Sequence, residues 1–258
     1  MMWDTLSFAG TAWKADVRML SDLKDVLYDQ KWFEQSEDMP VYYMYRGLYK
    51  NREDKKLMDA YHLRYDITVI PPLMLGKEYV KTAGHYHPSC HPLIDEQTLS
   101  LSYTEIYQVL EGEAQYLLQK TEGCAAEDVV LVHAKARDIV IIPPNYGHVT
   151  INNSNDVLKM SNWVSSGFTS IYEPVRELRG AAYYFLEAGV IKNPNYKTVS
   201  KLRKIEKSDP ELVGLIPGDD MYHLIKHPLE LDFLNNPWEH MELFESVYVR
   251  GYKRNQYI

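Results

Sequence analysis

The chain has 258 residues, of which 45% are apolar, 25% charged and 12% aromatic, which excludes a disordered or collagen-like protein. Its net charge of −8 argues against a nucleic-acid partner, because contact with a phosphate backbone needs clustered Lys and Arg. No apolar run approaches the ~18–20 residues that span a bilayer, so we also expect no membrane partner.

The first predicted element is a helical segment over residues 18–36, where Ser21 and Asp22 can cap a run of apolar residues at helical spacing. From residue 42 to 164 the sequence changes to short runs rich in Ile, Val, Tyr and Thr. The predicted strands are 41–48, 64–70, 78–84, 103–111, 113–119, 128–133, 138–142, 147–152 and 157–164. The sequence 111–113, Glu-Gly-Glu, predicts a hairpin turn between two of them. Many short strands at this spacing favour a mainly β barrel or sandwich, followed after about residue 172 by mixed helix and coil.

One segment of the strand-rich region carries paired histidines: His85 and His87 are separated by a single residue. In a strand, residues i and i+2 point to the same face, so both imidazoles can reach one metal ion. Tyr103, Glu105 and Tyr107 alternate in the same way along a later strand. His148 stands at the start of another. Three His and one Glu suit a divalent transition metal with open positions for a substrate.

A loop at 88–102 offers competing donors, which are Cys90, His91, Asp95 and Glu96. A small zinc site could be formed by His85, His87, Cys90 and His91, but four ligands so close in sequence cannot easily share one tetrahedron while their strand stays extended. Glu105 is therefore the preferred fourth ligand, with His91 as its first substitute. The other interpretation of Cys90 and His91 is an ordinary exposed loop.

The spacing around these residues resembles both halves of the cupin signature. Glu105 is followed after six residues by Gly112, and His148 lies five positions after Pro143. The resemblance implies a cupin (double-stranded β-helix, jelly-roll) barrel that binds one metal inside. Two departures stand out: the gap from His87 to Glu105 is long, which indicates an inserted loop, and Arg137 occupies a position where glycine is usual.

Within the cupins, residues 16–198 resemble the cupin-type phosphoglucose isomerases, known best from archaea. The similar segments are 18–23, 40–43, 68–72, 76–79, 81–87, 105–107, 109–112, 117–119 and 143–144. The Thr-x-Gly-His-x-His stretch at 82–87 is the most specific of them. The resemblance implies a metal-dependent isomerase that interconverts glucose 6-phosphate and fructose 6-phosphate, and a homodimer. It also implies one divalent metal, iron first, with nickel, zinc or manganese as alternatives.

The same resemblance assigns roles by position. The metal ligands would be His85, His87, Glu105 and His148. The sugar phosphate would be held by Thr68, Thr82 and Gly84, with Tyr43 and Tyr103 as further substrate contacts and Glu105 and Tyr107 as catalytic residues. Two aromatic positions of the family pocket are not matched, because Asn145 stands at one and Trp163 or Val164 at the other.

Aldose–ketose isomerisation needs a base near C2 and an electrophile for the enediolate, which Glu105 and a bound metal can supply. Whether Glu105 is base, ligand or both stays open at this point, as does a hydride shift. Two competing functions also remain: a cupin dioxygenase or related oxidoreductase, and a non-catalytic sugar-phosphate-binding cupin.

The predicted organisation is one cupin domain over residues 1–198, with its barrel core at about 41–165. A helical extension over 199–258 would pack on the same domain. We expect a cytoplasmic protein, because no signal-peptide pattern opens the sequence and two cysteines give no disulfide framework.

Overall fold

The structure is a computed structural model, and it describes residues 3–90 and 100–245. Strands dominate the described part of the chain. They are β1 (Thr5–Phe8), β2 (Thr11–Lys14), β3 (Asp16–Met19), β4 (Pro40–Tyr45), β5 (Leu63–Ile70), β6 (Met74–Leu75), β7 (Glu78–Tyr79), β8 (Glu105–Glu111), β9 (Glu113–Glu122), β10 (Ala125–Lys135), β11 (Ile139–Ile142), β12 (Gly147–Ile151), β13 (Leu158–Ser165), β14 (Tyr183–Leu186), β15 (Gly189–Lys192), β16 (Thr198–Val199) and β17 (Arg203–Ile205). The prediction of a mainly β fold is confirmed.

The helical segments are short. The α-helices are α1 (Gln30–Glu34), α2 (Arg52–Ala60), α3 (Glu173–Glu177) and α4 (Met241–Glu245), and the 3₁₀ helices are Leu20–Val26, Pro210–Val213, Met221–Lys226, Pro228–Leu234 and Pro237–Glu239. Within the described residues, no helix is long and apolar enough to cross a membrane. The predicted helix at 18–36 is correct only in part, because residues up to Met19 pair as β3 with β4.

One antiparallel sheet carries most of the barrel wall, in the order β11-β8-β13-β5-β4-β3. A second sheet contains β12, β9 and β10, with β16 and β17 each paired in parallel to β10. The segment after β7 pairs with β12 of the second sheet through isolated bridges, which join Lys81 to Ile151 and His85 to His148. These bridges place His85 beside His148.

The predicted hairpin at 111–113 is wrong. Gly112 does have the left-handed φ of +74° that is typical of a turn, but β8 pairs with β11 and β13, whereas β9 pairs with β10 and β12. The turn therefore carries the chain from one sheet to the other. A side chain at Gly112 would meet the Val157 carbonyl oxygen 2.5 Å away, so the crossing needs glycine.

Two of the apolar clusters among the described residues lie on opposite faces of the six-stranded sheet. Inside the barrel, Tyr107 and Val109 pack with Tyr116 and Leu118 of β9. On the outer face, Ile106 and Trp163 pack with side chains of the C-terminal 3₁₀ helices. Alternation along each strand therefore sends one set of residues to the cavity and the other to the extension.

The C-terminal segment is tied to the outer face by polar contacts as well. The Trp163 Nε1–H donates to the Met221 carbonyl at 3.0 Å. The buried Gln108 amide donates to the Asp219 carbonyl at 2.7 Å and accepts from the Met221 N–H at 2.8 Å. The division into a domain at 1–198 and an extension at 199–258 stays a prediction.

Candidate metal centre

Four donor side chains converge in the lining of one cavity. They are His85 and His87, on the segment after β7, Glu105, which begins β8, and His148, near the start of β12. One ligand atom from each lies within 4.8 Å of the others. Residues from three separate stretches of the chain thus form one cluster that can hold a single ion.

The backbone fixes the spacing of two of these histidines. The His148 N–H donates to the His85 carbonyl at 3.0 Å, and the His85 N–H donates to the His148 carbonyl at 3.2 Å. Gly84, just before His85, has φ +79°, and a Cβ there would lie 2.6 Å from Val149. The conformation that presents His85 to the cluster therefore depends on glycine at this position.

One oxygen of the buried Glu105 carboxylate has no hydrogen-bond partner among the described residues. This atom, Oε2, lies 3.3 Å from His87 Nε2 and 3.2 Å from His148 Nε2. A buried carboxylate oxygen normally has a partner. Two imidazole nitrogens and an unsatisfied carboxylate oxygen that face one point fit a divalent transition metal.

Contacts behind the cluster orient its ligands. The Nδ1–H of His87 donates to the Tyr103 carbonyl oxygen at 3.0 Å, which leaves Nε2 as the donor toward the cluster. The ring of Phe168 lies against His87, with centroids 4.6 Å apart. The Tyr107 hydroxyl lies 3.2 Å from His148 Nε2.

Burial and neighbouring charge shift the ionisation of this group. Burial raises the pKa of the Glu105 carboxyl by itself, but the imidazoles of His148 and His87 outweigh it and hold that pKa below its usual range. Burial, aided by the other histidines, lowers the pKa of His85 well below its usual value. Burial and the Glu105 charge raise the pKa of Tyr107. The cluster therefore favours a carboxylate beside neutral His85 and a protonated phenol.

A cavity of about 360 Å³ opens in front of the four donors, a size that suits a small metabolite. Four other residues to which the sequence assigned roles line it: Thr68, Thr82, Gly84 and Tyr107. The Thr82 Oγ1 accepts from the Thr150 N–H at 3.0 Å, which leaves its own O–H available to donate.

The structure does not bring Tyr43 and Tyr103 into this cavity. Tyr43 is buried in the cluster on the outer face of the sheet, and its neighbour Tyr42 lines the cavity instead. Tyr103 precedes β8, so it does not continue the alternation of Glu105 and Tyr107; it contributes its backbone carbonyl to His87 and stacks on Phe168 at 4.7 Å.

The unmatched aromatic positions have clear places in the structure. Val164 lines the cavity, whereas Trp163 points to the outer face. Asn145, with φ +66°, has a structural contact: its side-chain oxygen accepts a hydrogen bond from the Ser102 N–H at 2.9 Å.

Of the competing loop donors, His91, Asp95 and Glu96 lie outside the described residues. Cys90 lies within them, and its thiol donates to the Leu101 carbonyl.

The sequence analysis missed a set of charged residues at the cavity mouth: Asp16, Arg18, Arg46, Arg64 and Asp66. Their alternation with Tyr42 and Thr68 along β3, β4 and β5 indicates that they share a face within each strand, because residues two apart in a strand share a face. It does not indicate which strands lie side by side.

A family model described as glucose-6-phosphate isomerase (GPI) matches residues 17–201. The chain is 28% identical over 187 residues to "Glucose-6-phosphate isomerase" of Thermococcus onnurineus, covering 70% of this chain and 87% of that protein. It is 30% identical over 142 residues to the protein of that name in Pyrococcus furiosus, covering 54% of this chain and 64% of the relative, which is less than two thirds of its length.

Among solved structures, an oxalate oxidase in complex with the substrate analogue glycolate aligns with 44% of this chain and 47% of its own, at 16% identity and a TM-score of 0.33; nothing about function follows from so low a score. The family match spans well over half of the described chain and includes all four clustered donors. The chain belongs to the glucose-6-phosphate isomerase (GPI) family.

Proposed function

We propose that this protein interconverts glucose 6-phosphate and fructose 6-phosphate, with a divalent metal held by His85, His87, Glu105 and His148. The observation that carries the proposal is the unsatisfied, buried Glu105 Oε2, which lies near two imidazole nitrogens in the lining of a sugar-sized cavity. The family to which the chain belongs supports the same reaction.

The reaction moves one proton between C1 and C2 and another between O1 and O2. The four donors would hold a divalent metal, which would supply Lewis-acid stabilisation for the negative charge of the enediolate. The Glu105 carboxylate takes the C2 proton of glucose 6-phosphate and returns it to C1, which yields the ketose without net change in oxidation state. The Tyr107 hydroxyl, 3.2 Å from His148 Nε2, is placed to donate a hydrogen bond to a substrate oxygen.

For the sugar phosphate we retain Thr68, Thr82 and Gly84 as contacts, since all three line the cavity. We replace Tyr43 by Tyr42 as the aromatic contact from β4, and we assign Tyr103 the positioning of His87. Iron as the metal and a homodimeric assembly belong to the proposal as predictions from the family resemblance, and a cytoplasmic location belongs to it as a prediction from the sequence.

The test is turnover of fructose 6-phosphate to glucose 6-phosphate before chelation, after chelation, and after iron, nickel, zinc or manganese is added back. We expect metal-dependent turnover that Glu105→Gln and His148→Ala lower by at least about 10²-fold. The matched control is His133→Ala, because His133 lies on the exposed face of β10 and contacts Glu113.

If the folded wild-type protein shows no turnover with any of these metals, the isomerase assignment is overturned. Oxygen uptake with candidate substrates would then favour the oxidoreductase, and sugar-phosphate binding without turnover would favour a binding protein.

A further inference from the structure

Glu78, which begins β7, and Lys81 form a buried ion pair that the proposed reaction does not use. Their side chains keep only 1% and 7% of their exposure. The Lys81 ammonium donates to the Glu78 carboxylate and, at 2.8 Å, to the Val26 carbonyl oxygen. The second carboxylate oxygen of Glu78 accepts from the Tyr28 N–H at 3.0 Å. Both charges are therefore hydrogen-bonded inside the protein, which is the condition under which buried charges are tolerated.

The segment that follows Lys81 carries two of the metal donors and runs antiparallel to β12. Lys81 bridges to Ile151, and His85 bridges to His148. Four residue steps on this segment thus match three steps on β12. One extra residue on one of two paired segments defines a β-bulge. The bulge includes Gly84, whose φ of +79° is a conformation that glycine adopts readily.

The bulge changes the face to which the segment directs its side chains. In a regular strand, residues 81 and 85 would point to the same face, because successive side chains alternate. Here Lys81 does not line the cavity and reaches the Val26 carbonyl instead, whereas His85 lines the cavity. The extra residue therefore allows a lysine to face away from the cavity while the histidine that follows it faces inward.

A bulge of this kind persists only while the residues on its two sides are each held to their faces, because a one-residue slip would restore a regular ladder. On the downstream side, the Nδ1–H of His87 donates to the Tyr103 carbonyl oxygen at 3.0 Å. On the upstream side, a slip would turn Lys81 toward the cavity and separate it from Glu78. That carboxylate would then stay buried without its partner, which is strongly unfavourable.

We propose that the Glu78–Lys81 ion pair fixes the register of the bulged segment and thereby positions His85 toward the metal. The inference rests on the proposed function, whose metal site it deepens. Glu78 and Lys81 are positioning residues, because neither lines the cavity and both act only through the segment that they anchor. A buried ion pair in this role gives specificity of register rather than net stability.

Zinc titration calorimetry on the chelated, metal-free protein measures the effect without any catalysis. The informative variant is Glu78→Gln combined with Lys81→Met, because it leaves no buried charge, and its Tm should stay within about 5 °C of wild type. We expect zinc to bind about 10- to 100-fold more weakly. The amide hydrogen of His148, which donates to the His85 carbonyl at 3.0 Å, should exchange faster than in wild type.

Two further variants keep the test decisive. Lys81→Met alone leaves Glu78 buried and unpaired, so Tm should fall by roughly 10 °C or more; studied at low temperature, it should show the same loss of zinc affinity. Lys81→Arg keeps the charge and should recover part of that affinity. The matched control is Asp54→Asn with Lys226→Met, which removes an ion pair with an equally buried carboxylate outside the cavity lining and should leave zinc binding unchanged.

Wild-type zinc affinity in the folded double variant would overturn the inference, because the ion pair would then be structural only. Equal losses of zinc affinity in this variant and in the control would overturn it as well, and so would unchanged exchange of the His148 amide. Failure of the isomerase is distinguishable: wild type would show no turnover, while zinc binding would still depend on Lys81. If the isomerase stands and the inference does not, the double variant would keep the wild-type kcat and KM for fructose 6-phosphate.

Discussion

The Nδ1 atom of His87 lies 3.0 Å from the backbone carbonyl oxygen of Tyr103. A carbonyl oxygen can only accept, so Nδ1 carries the proton and Nε2 is the nitrogen presented to Glu105 Oε2 at 3.3 Å. Tyr103 immediately precedes the strand that begins at Glu105, so the same short stretch of chain supplies one ligand and orients another. The tautomer and orientation of His87 are therefore fixed before a metal binds.

Metal binding should raise the thermal stability of the protein. At 100-fold excess of free metal over Kd the gain is about 2.7 kcal/mol, which for a chain of this size corresponds to roughly 5–10 °C in Tm. Differential scanning calorimetry with and without metal measures it. We expect His87→Gln to lose most of the shift and His133→Gln, on the exposed face of β10, to keep it. An unchanged shift in His87→Gln would contradict the ligand assignment.

Gly84→Ala should damage both stability and the metal site. At φ +79°, with the new Cβ 2.6 Å from Val149, we expect a loss of about 2–4 kcal/mol in unfolding free energy and weaker metal binding. Gly123→Ala is the control, because Gly123 has φ +55° and nothing within 4 Å of its Cβ position, so only the backbone cost of about 1–2 kcal/mol remains. Urea unfolding and metal titration compare them. Equal effects of the two substitutions on metal affinity would argue against a positioning role for Gly84.

The ion pair between Asp128 and Arg203 should make stability depend on pH in the acid range. Arg203 donates to both Asp128 oxygens at 2.7 and 2.6 Å, and Tyr146 donates at 2.6 Å. Burial alone would raise the pKa of Asp128, but these donors hold it below its ordinary value of 3.8. The stabilisation is therefore complete above the unfolded-state pKa and is lost as the pH falls through the lower folded-state pKa.

Urea unfolding of wild type and Asp128→Asn at several pH values tests this expectation. The difference in unfolding free energy should be about 1–2 kcal/mol at pH 7, persist down to about pH 5 and shrink below about pH 4. Glu127→Gln, at an exposed neighbouring position, should show no such trend. A difference that grows on acidification would contradict the assignment.

Gln108→Leu should loosen the C-terminal segment. The substitution keeps the side-chain volume nearly constant but leaves the buried Met221 N–H and the Asp219 carbonyl without their partner, a loss of about 2–4 kcal/mol in unfolding free energy. Hydrogen exchange should rise first over residues 219–226. Gln115→Leu on β9, half-exposed, is the control. Protection of residues 219–226 equal to wild type would show that other contacts suffice.

The metal donors were predictable from sequence because each carries a local signal: the i, i+2 pair His85 and His87, and the fixed spacing from Glu105 to Gly112. The barrel was predictable for the same reason, since strand alternation is local. The choice between Tyr42 and Tyr43 was not, because it depends on which parity of β4 faces inward. Pairing with β3 and β5 decides which alternate residues of β4 face inward. Two adjacent tyrosines give no sequence signal for that choice.

The sheet crossing at Gly112 and the charged cavity mouth could not be predicted from the sequence for a different reason. A glycine between two strands is equally typical of a hairpin and of a crossing, and only long-range pairing decides between them. Arg18, Arg46 and Arg64 lie on or beside three different strands, so their proximity is a property of strand order. Neighbours across β3, β4 and β5 are separated by tens of residues in the chain.

The outer face of the six-stranded sheet has a practical consequence. Trp163, Tyr65 and Ile106 are covered by residues beyond 201, including Tyr222 and Phe233. A fragment limited to the family-matched residues 17–201 would retain every metal donor, yet it would expose a contiguous aromatic surface that promotes aggregation. Recombinant production and any transplantation of the active barrel into another protein therefore need the C-terminal segment as a cover.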